Sequence, residues 1–281
     1  MPGLVRADVP ASSAYRGGVP EVEEGTFSNG VPYLRTGHGP ALLVAAGLTT
    51  EHANPRGAAR RASLSWAAPF ARHFTVHLVN RRPGLPASTS MSDLAADYAS
   101  VVEQDLGEPV LLHGTSTGGS IALQLATDRP ELVRRLVVAA AACRLSPEGR
   151  HVMAEVARLT AAGDTRGATA AIVAAGTPPR LRLLTRPAGW AMGQFAARDQ
   201  RDMLVTIAAE DAFDVEPRLE RVTAPTLVLG GTADGFYTRD LFERTAAGIP
   251  QGRVVVWEGR SHVGVAGGKV PAAVALGYLL A

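Results

Sequence analysis

The chain has 281 residues, a formal net charge of +2, and 19% charged and 46% hydrophobic residues. This length and composition suit one large domain, or one domain with an inserted piece, and the nearly balanced, scattered charges argue against nucleic acid as a partner. A single cysteine, Cys143, excludes an internal disulfide and is compatible with a reducing compartment.

The first 20 residues contain three prolines and a Gly-Gly pair, which predicts a loose N-terminal arm over residues 1–20. They lack the basic start and apolar core of a signal peptide. The apolar runs elsewhere are too short or too interrupted to span a membrane. We therefore expect a cytoplasmic protein that makes no contact with a membrane.

Short apolar strands alternate with helical segments between residues 21 and 144. The Asn29-Gly30 pair is typical of a tight turn between two strands, and Ser92-Asp93 predicts the N-cap and first-turn acid of a helix. The predicted strands of this part are 21–28, 31–36, 41–46, 74–79, 110–112 and 135–142. The predicted helices are 56–72, 92–106 and 119–128.

Residues 145–215 depart from this alternation, because they contain Ala-rich helical segments broken by Gly and Pro and no strong strand. We expect them to form a helical cap inserted into a core built from residues 21–144 and 216–281. The large apolar residues of the insertion are expected either to line the roof of a pocket or to pack in the core of the cap. These residues are Trp190, Met192 and Phe195.

After the insertion the alternation returns, with predicted strands at 225–230 and 253–257 and predicted helices at 239–247 and 264–280. Strands that alternate with helices predict a mostly parallel sheet with right-handed crossovers and helices on both faces. The fold class is therefore α/β.

Residues 110–123 carry the most informative pattern in the chain. An apolar strand is followed by Gly-x-Ser-x-Gly at residues 114–118 and then by a helical segment. In this context the pattern predicts a nucleophile elbow, a sharp turn that presents Ser116 above the edge of a sheet. The alternative is a plain Gly-rich turn between a strand and a helix.

A serine nucleophile needs a base, and the base needs an acid that orients it. His262 follows the strand 253–257, and Asp234 follows the strand 225–230, so both lie at carboxyl ends of strands, where open α/β sheets bind ligands. Three other acids suit this role less well by position. They are Asp211, Asp214 and Asp240.

The transition state of acyl transfer also needs two donors for its oxyanion. By position these are the backbone N–H of Thr117, directly after the serine, and that of Leu48, directly after Gly47. No Cys/His cluster has metal-ligand spacing, and no Lys follows the glycines as in a phosphate loop. The sequence therefore contains neither metal-ligand spacing nor a phosphate loop.

Four further polar residues near these segments each leave two interpretations open. Glu51 and His52 either face the pocket or lie in a solvated loop, and Arg81 and Arg82 either meet an anionic substrate or form structural ion pairs. His113, at the end of the elbow strand, is expected to be packed and hydrogen-bonded.

Four segments resemble the α/β-hydrolase superfamily in the same order along the chain: residues 39–48, 82–84, 114–118, and 225–234 followed by Ser261-His262. The resemblance covers about residues 21–281. It implies an eight-stranded sheet with a cap over the active site, a Ser nucleophile, a His base, an Asp orienter, and no metal or organic cofactor. The chain order Ser116, Asp234, His262 matches the order in hydrolases with this elbow.

Two segments depart from the superfamily pattern. Ala46-Gly47 stands where members often have His-Gly, and the loop at 82–88 lacks the usual His-Gly after Arg-Pro-Gly. The first departure affects the oxyanion loop and leaves the three predicted catalytic residues untouched.

The leading functional prediction is a serine hydrolase that cleaves an ester, lactone or thioester of a small to medium apolar molecule through an acyl-enzyme. Ala46 motivates an alternative reaction on the same scaffold: hydrolysis of a carbon–carbon bond, cofactor-free perhydrolysis, or a non-hydrolytic cyclisation. A third possibility is a ligand receptor that keeps the catalytic residues. The partner expected in each case is a small molecule.

Overall fold

Eight strands form one sheet in the part of the chain that the structure, a computed structural model, describes: residues 21–197 and 199–281. The predicted N-terminal arm at residues 1–20 lies outside this part. The strands are Val22–Thr26 (β1), Pro32–Gly37 (β2), Ala41–Ala45 (β3), Thr75–Val79 (β4), Val110–Thr115 (β5), Val133–Ala139 (β6), Thr226–Gly231 (β7) and Gly252–Trp257 (β8).

The sheet is mostly parallel, with the strand order β1-β2-β4-β3-β5-β6-β7-β8. Strand β2 pairs antiparallel with β1 and with β4, whereas every other neighbouring pair of strands is parallel. Gly30 has a φ of 91° in the turn between β1 and β2, as the Asn-Gly pair predicts. The predicted eight-stranded, mostly parallel sheet is therefore confirmed.

Helices connect the parallel strands and cover both faces of the sheet. They are Gly57–Ala67 (α1), Met91–Ser100 (α2), Thr117–Asp128 (α3), Pro147–Ala161 (α4), Thr165–Gly176 (α5), Arg182–Met192 (α6), Arg201–Asp211 (α7), Arg239–Gly248 (α8), His262–Ala266 (α9) and Lys269–Leu280 (α10). Within the described residues, none of these helices combines the length and the apolar character that a membrane span requires.

The core has two layers because successive side chains of a strand point to opposite faces of the sheet. On one face, Leu43 and Leu112 pack with apolar side chains of α2, α3 and α8. On the other face, Leu42 and Val137 pack with side chains of α1 and α10. Burial of both faces explains why the central strands read as continuous apolar runs.

Several helix boundaries differ from the sequence prediction; the helix predicted at 56–72, for example, ends at Ala67. Ser90, not Ser92, is the N-cap of α2, because its side chain accepts the Asp93 N–H while the Asp93 carboxylate accepts the Ser90 N–H. The first-turn acid, Asp93, is confirmed. The single helix predicted at 264–280 is two helices, since α9 ends at Ala266 and α10 begins only after two glycines.

Helices α4 to α7 lie between β6 and β7, within the segment 145–215, which we call the helical insertion. The expectation for its large apolar residues is wrong. Trp190, Met192 and Phe195 are 51%, 59% and 83% exposed, so they neither roof a pocket nor form the core of the insertion.

Candidate active site

The turn between β5 and α3 holds Ser116 in an unusual backbone conformation, with φ 53° and ψ −128°. A residue with a side chain in this region is strained by about 1–3 kcal/mol. The turn also brings backbones into close contact. A Cβ on Gly114 would lie 2.4 Å from the Gly118 carbonyl oxygen, and a Cβ on Gly118 would lie 2.2 Å from the Ala45 carbonyl oxygen. The two glycines of the pattern are therefore required by space.

The ends of three parallel strands bring Ser116, Asp234 and His262 together. His262 Nε2 lies 3.0 Å from Ser116 Oγ, and His262 Nδ1 lies 2.8 Å from Asp234 Oδ2. The other carboxylate oxygen of Asp234 accepts the N–H groups of Phe236 and Tyr237, at 2.8 and 3.2 Å. The carboxylate is thus fixed by its own turn, and it aligns the imidazole toward the serine.

Two aromatic rings pack against the imidazole of His262. The Phe236 ring centroid lies 4.7 Å from that of His262, and the Tyr237 ring is stacked at 6.2 Å. Ser261 begins α9 as its N-cap and places His262 in the first turn of that helix. These contacts restrict the imidazole to an orientation between the carboxylate and the hydroxyl.

The loop after β3 runs directly beside the serine. A Cβ on Gly47 would lie only 3.3 Å from Ser116 Cβ, and Leu48 lines the same cavity as Ser116 and Thr117. Within residues 21–197 and 199–281, the N–H groups of Leu48 and Thr117 donate to no protein acceptor. The Thr117 N–H is the first of α3, where an intrahelical partner is lacking by geometry.

A cavity of about 270 Å³ opens at Ser116 and His262. Its walls are mainly apolar, and α4 and α5 of the helical insertion contribute Met153, Ile172 and Val173. A cavity of this size accepts a small organic molecule. A separate cavity of about 440 Å³ touches Asp234 from the side of His151 and Arg182 and does not include the serine.

Comparison with known proteins gives the chain its family. The model of the alpha/beta hydrolase family matches residues 36–275, which is most of the chain. The chain belongs to the alpha/beta hydrolase family. The resemblance drawn from the four sequence segments is thereby confirmed.

Two curated relatives of this alpha/beta hydrolase share the name "Putative carbamate hydrolase RutD". The one from Variovorax paradoxus (strain S110) is 28% identical over 170 residues, which cover 59% of this chain and 63% of that protein. The one from Agrobacterium fabrum is 29% identical over 194 residues, covering 63% and 69%. The match thus spans less than two thirds of the first relative's length.

Solved structures show the same fold at low identity. An alpha/beta hydrolase, MGS-M2, from a deep-sea metagenome library of the Medee basin superposes with a TM-score of 0.77 at 16% identity, covering 89% of this chain and 94% of its own. The enol-lactonase from Burkholderia xenovorans LB400 gives a TM-score of 0.72 at 17% identity, covering 93% and 96%.

Arg81 holds the loop after β3, for which an oxyanion role is predicted at Leu48, by hydrogen bonds to its backbone. Its guanidinium donates to the carbonyl oxygens of Ala46 (3.1 Å) and Gly47 (3.0 Å), and also to Thr49 Oγ1 (2.9 Å) and His52 Nε2 (3.0 Å). The residue is only 1% exposed, and burial lowers the pKa of Arg81 below its usual value. Each acceptor is neutral, so Arg81 forms no ion pair within residues 21–197 and 199–281, and its burial away from the cavity keeps it from a substrate. Both interpretations for Arg81, an anionic substrate or an ion pair, are therefore wrong.

The other polar candidates near this loop are placed as follows. His52 is buried under the loop, and burial lowers its pKa to about 4, so the neutral ring accepts from Arg81 at Nε2 and donates from Nδ1 to the Arg82 carbonyl. Glu51 is exposed, as the solvated-loop interpretation predicts. Arg82 forms the expected structural ion pair, with Asp97 at 2.7 Å.

Glu210 lies at the same cavity, and the sequence did not single it out. It is in α7 of the helical insertion, it is 3% exposed, and it lines the cavity with Ser116 and His262. One oxygen, Oε1, accepts the hydroxyls of Ser120 (2.7 Å) and Tyr237 (3.1 Å). In an Ala-rich helical segment an acid is ordinarily solvent-exposed, so the sequence contains no signal for this burial.

Proposed function

We propose that this chain is a serine hydrolase that cleaves an ester, lactone or thioester of a small to medium apolar molecule. The observation that carries the proposal is the hydrogen-bonded chain Ser116–His262–Asp234 at the mouth of a mainly apolar cavity. Nucleophile, base and orienting acid in this contact are the arrangement that acyl transfer to serine needs. The name of the enol-lactonase with the same fold is consistent with this reaction class.

The geometry supports a mechanism in two halves. Ser116 Oγ attacks the substrate carbonyl carbon while His262 Nε2 takes the hydroxyl proton, and the imidazolium that forms is stabilised by Asp234. Collapse of the tetrahedral intermediate breaks the bond to the leaving group, which receives the proton from His262. Water then attacks the acyl-enzyme with His262 again as base, and this releases the acid and restores the serine.

The N–H groups of Thr117 and Leu48 are the donors proposed for the oxyanion. Arg81 supports the assignment of Leu48 because it holds the Gly47 carbonyl oxygen. In a trans peptide the carbonyl and the following N–H point in opposite directions, so the Leu48 N–H is directed away from Arg81. Leu48 lines the cavity and Arg81 is not among the lining residues, which supports an N–H directed to the cavity side of the loop.

The helical insertion, residues 145–215, is proposed as the cap of the site. Its residues Met153, Ile172 and Val173 help to close the cavity at Ser116. A closed apolar wall excludes bulk water and strengthens the electrostatic contacts inside the site. The insertion would therefore select the substrate, while the sheet supplies the reacting groups.

A fluorophosphonate probe tests the nucleophile directly. The wild-type protein should be labelled at Ser116, Ser116→Ala should not be labelled, and Ser88→Ala, which removes an exposed loop serine, should be labelled like the wild type. Model esters of increasing acyl length, assayed on the same three proteins, would then give the reaction class and the pocket size. Equal labelling of Ser116→Ala and wild type would overturn the assignment.

A carbamate is a second candidate substrate, favoured by the names of the two curated relatives. Its carbonyl carbon would be attacked by Ser116 in the same way. Faster turnover of a carbamate than of the matched ester would favour this class.

Ala46 motivated other reactions on the same residues: cleavage of a carbon–carbon bond, perhydrolysis and cyclisation. Arg81 holds the loop without the usual His, so the loop itself gives these reactions no added support. Labelling of Ser116 without turnover of esters, lactones, thioesters or carbamates would favour them. Ligand-induced thermal stabilisation without any turnover would favour the receptor alternative.

A further inference from the structure

The carboxylate of Glu210 is hydrogen-bonded on one side only. Its Oε1 is held by the Ser120 and Tyr237 hydroxyls, whereas Oε2 is buried and has no hydrogen-bond partner among residues 21–197 and 199–281. Removing a polar oxygen from water without giving it a hydrogen-bond donor is unfavourable, and more so for a carboxylate oxygen than for a neutral one. The described part of the protein therefore leaves one acceptor of this group unpaired.

The described groups around Glu210 leave its Oε2 atom free to accept a hydrogen bond. Burial and the neighbouring Glu210 charge raise the pKa of Tyr237 well above its usual value, so Tyr237 is a neutral donor. Among the described residues no Lys, Arg or His forms an ion pair with Glu210, and Arg81 uses its donors on the oxyanion loop and His52. A role limited to packing α7 against α3 would need only Oε1.

The position of Glu210 relative to the nucleophile suits binding and not proton transfer. Ser120, which holds Oε1, comes four residues after Ser116 in α3, a rise of about 6 Å along the helix. Tyr237, the other donor, stacks on the His262 ring. A substrate atom that contacts Oε2 would thus lie a few bonds from the carbonyl that Ser116 attacks.

We propose that Glu210 Oε2 accepts a hydrogen bond from an O–H or N–H donor on the acyl part of the substrate. Glu210 lines the cavity and is only 3% exposed, whereas a leaving group must depart toward solvent, which assigns the contact to the acyl part. The substrate class is then a hydroxyacyl or aminoacyl ester, lactone or thioester. This inference rests on the proposed serine hydrolase function and narrows its substrate.

The test compares acyl groups that differ only in the donor. The probes are p-nitrophenyl 3-hydroxybutanoate, 3-aminobutanoate and 3-methylbutanoate, in which OH, NH₃⁺ and CH₃ occupy the same position. We expect the wild type to prefer a donor-bearing ester over the methyl ester by about tenfold or more in kcat/KM, because a buried acceptor rejects an analogue without the donor. The ratio of kcat/KM for the hydroxy ester to kcat/KM for the amino ester then shows whether the preferred donor is neutral or charged.

Glu210→Gln is the decisive variant, because it retains the shape and the Oε1 acceptor but presents an N–H donor in place of Oε2. The preference for the donor-bearing ester should fall to about onefold, whatever the absolute rates. Asp211→Asn, the same chemical change at the next, exposed position of α7, should keep the preference. A wild type without preference, or a Glu210→Gln variant that retains it, would overturn the proposal.

A binding measurement separates this proposal from the proposed function. Thermal stabilisation of Ser116→Ala by the intact esters reports the contact to Glu210 without any turnover. A stronger stabilisation by the donor-bearing esters, lost in Ser116→Ala/Glu210→Gln, supports the contact even if wild-type labelling of Ser116 fails. Equal stabilisation by all three esters, with normal labelling of Ser116, would overturn the contact and leave the hydrolase function intact.

Discussion

Replacement of Arg81 by lysine tests whether a buried guanidinium positions the oxyanion loop. Arg81 spans two successive carbonyl oxygens, those of Ala46 and Gly47, with different nitrogens of one planar group. Lysine keeps the positive charge but concentrates its donors on one nitrogen, so it cannot reproduce this fork. The peptide between Gly47 and Leu48 would then be free to rotate, and its N–H would lose its fixed direction.

The expected loss follows from the value of one oxyanion donor. Removal of such a donor raises the activation free energy by about 2.7–4 kcal/mol, or 10²–10³-fold in kcat. Because lysine still holds one carbonyl, we expect Arg81→Lys to lie near the lower end, at about 10²-fold. Arg81→Met is a poorer test, since it takes a donor away from one buried and three partly buried acceptors, at about 1–3 kcal/mol of unfolding free energy for each acceptor left unpaired.

The assay must separate positioning from a general loss of structure. We would measure kcat and KM on a p-nitrophenyl ester together with the Ki of a trifluoromethyl ketone, whose tetrahedral adduct uses the same two N–H donors. For Arg81→Lys, kcat/KM and 1/Ki should fall in parallel, while the Ki of the product acid changes little.

Arg82→Lys is the matched control, because Arg82 is the next residue but pairs with Asp97 at a partly exposed site. Its kcat should stay within about threefold of wild type, as expected for a surface ion pair. The reasoning is refuted if folded Arg81→Lys keeps kcat/KM within threefold of wild type, or if kcat/KM falls without any change in the Ki of the ketone.

Three further changes have defined outcomes. The Ser116→Gly variant should have an unfolding free energy about 1 kcal/mol higher than that of Ser116→Ala, because only glycine adopts a φ of 53° without strain. Equal urea midpoints for the two variants would contradict backbone strain at this position. Asp234→Asn should lower kcat by about 10³–10⁴-fold at nearly unchanged Tm, because the amide no longer selects the correct imidazole tautomer of His262; a loss below tenfold would exclude that role. Burial lowers the pKa of His113 to about 4, below the value of about 6.5 in the unfolded chain. Between these two pH values the unfolded state binds a proton that the folded state does not, so the protein loses stability as the pH falls from about 6.5 toward 4. Urea unfolding at pH 7 and at pH 5 measures this loss of unfolding free energy, which should be about 2 kcal/mol smaller in His113→Phe than in the wild type. An equal loss in both proteins would refute the role of His113.

The sequence predicted well those elements whose residue pattern is compatible with a single local structure. Continuous apolar runs mark strands buried on both faces, and two glycines around Ser116 are needed where a Cβ would lie within 2.4 Å of a backbone oxygen. The order of strands along the chain then places Asp234 and His262 at the same sheet edge. Boundaries were less accurate, because several residues could cap a helix, as with Ser90 and Ser92.

Residues whose roles depend on distant partners could not be predicted. Arg81 is a charged residue in a loop until the fold brings the carbonyl oxygens of Ala46 and Gly47 against it. Glu210 acquires its surroundings from Ser120, which is 90 positions away, and from Tyr237. A pattern of residue types along the chain carries information on periodicity and turns, but none on such pairings.

The buried charges of Arg81 and Glu210 have opposite effects on the proposed oxyanion. Both lie near the nucleophile, Arg81 behind the oxyanion loop and Glu210 at the cavity wall, so a negative charge forming on the substrate is favoured by one and opposed by the other. A donor group on the substrate that binds Oε2 would disperse the Glu210 charge and reduce this repulsion. The preference for donor-bearing acyl groups should therefore appear in kcat as well as in KM, because it lowers the energy of the transition state more than that of the bound substrate.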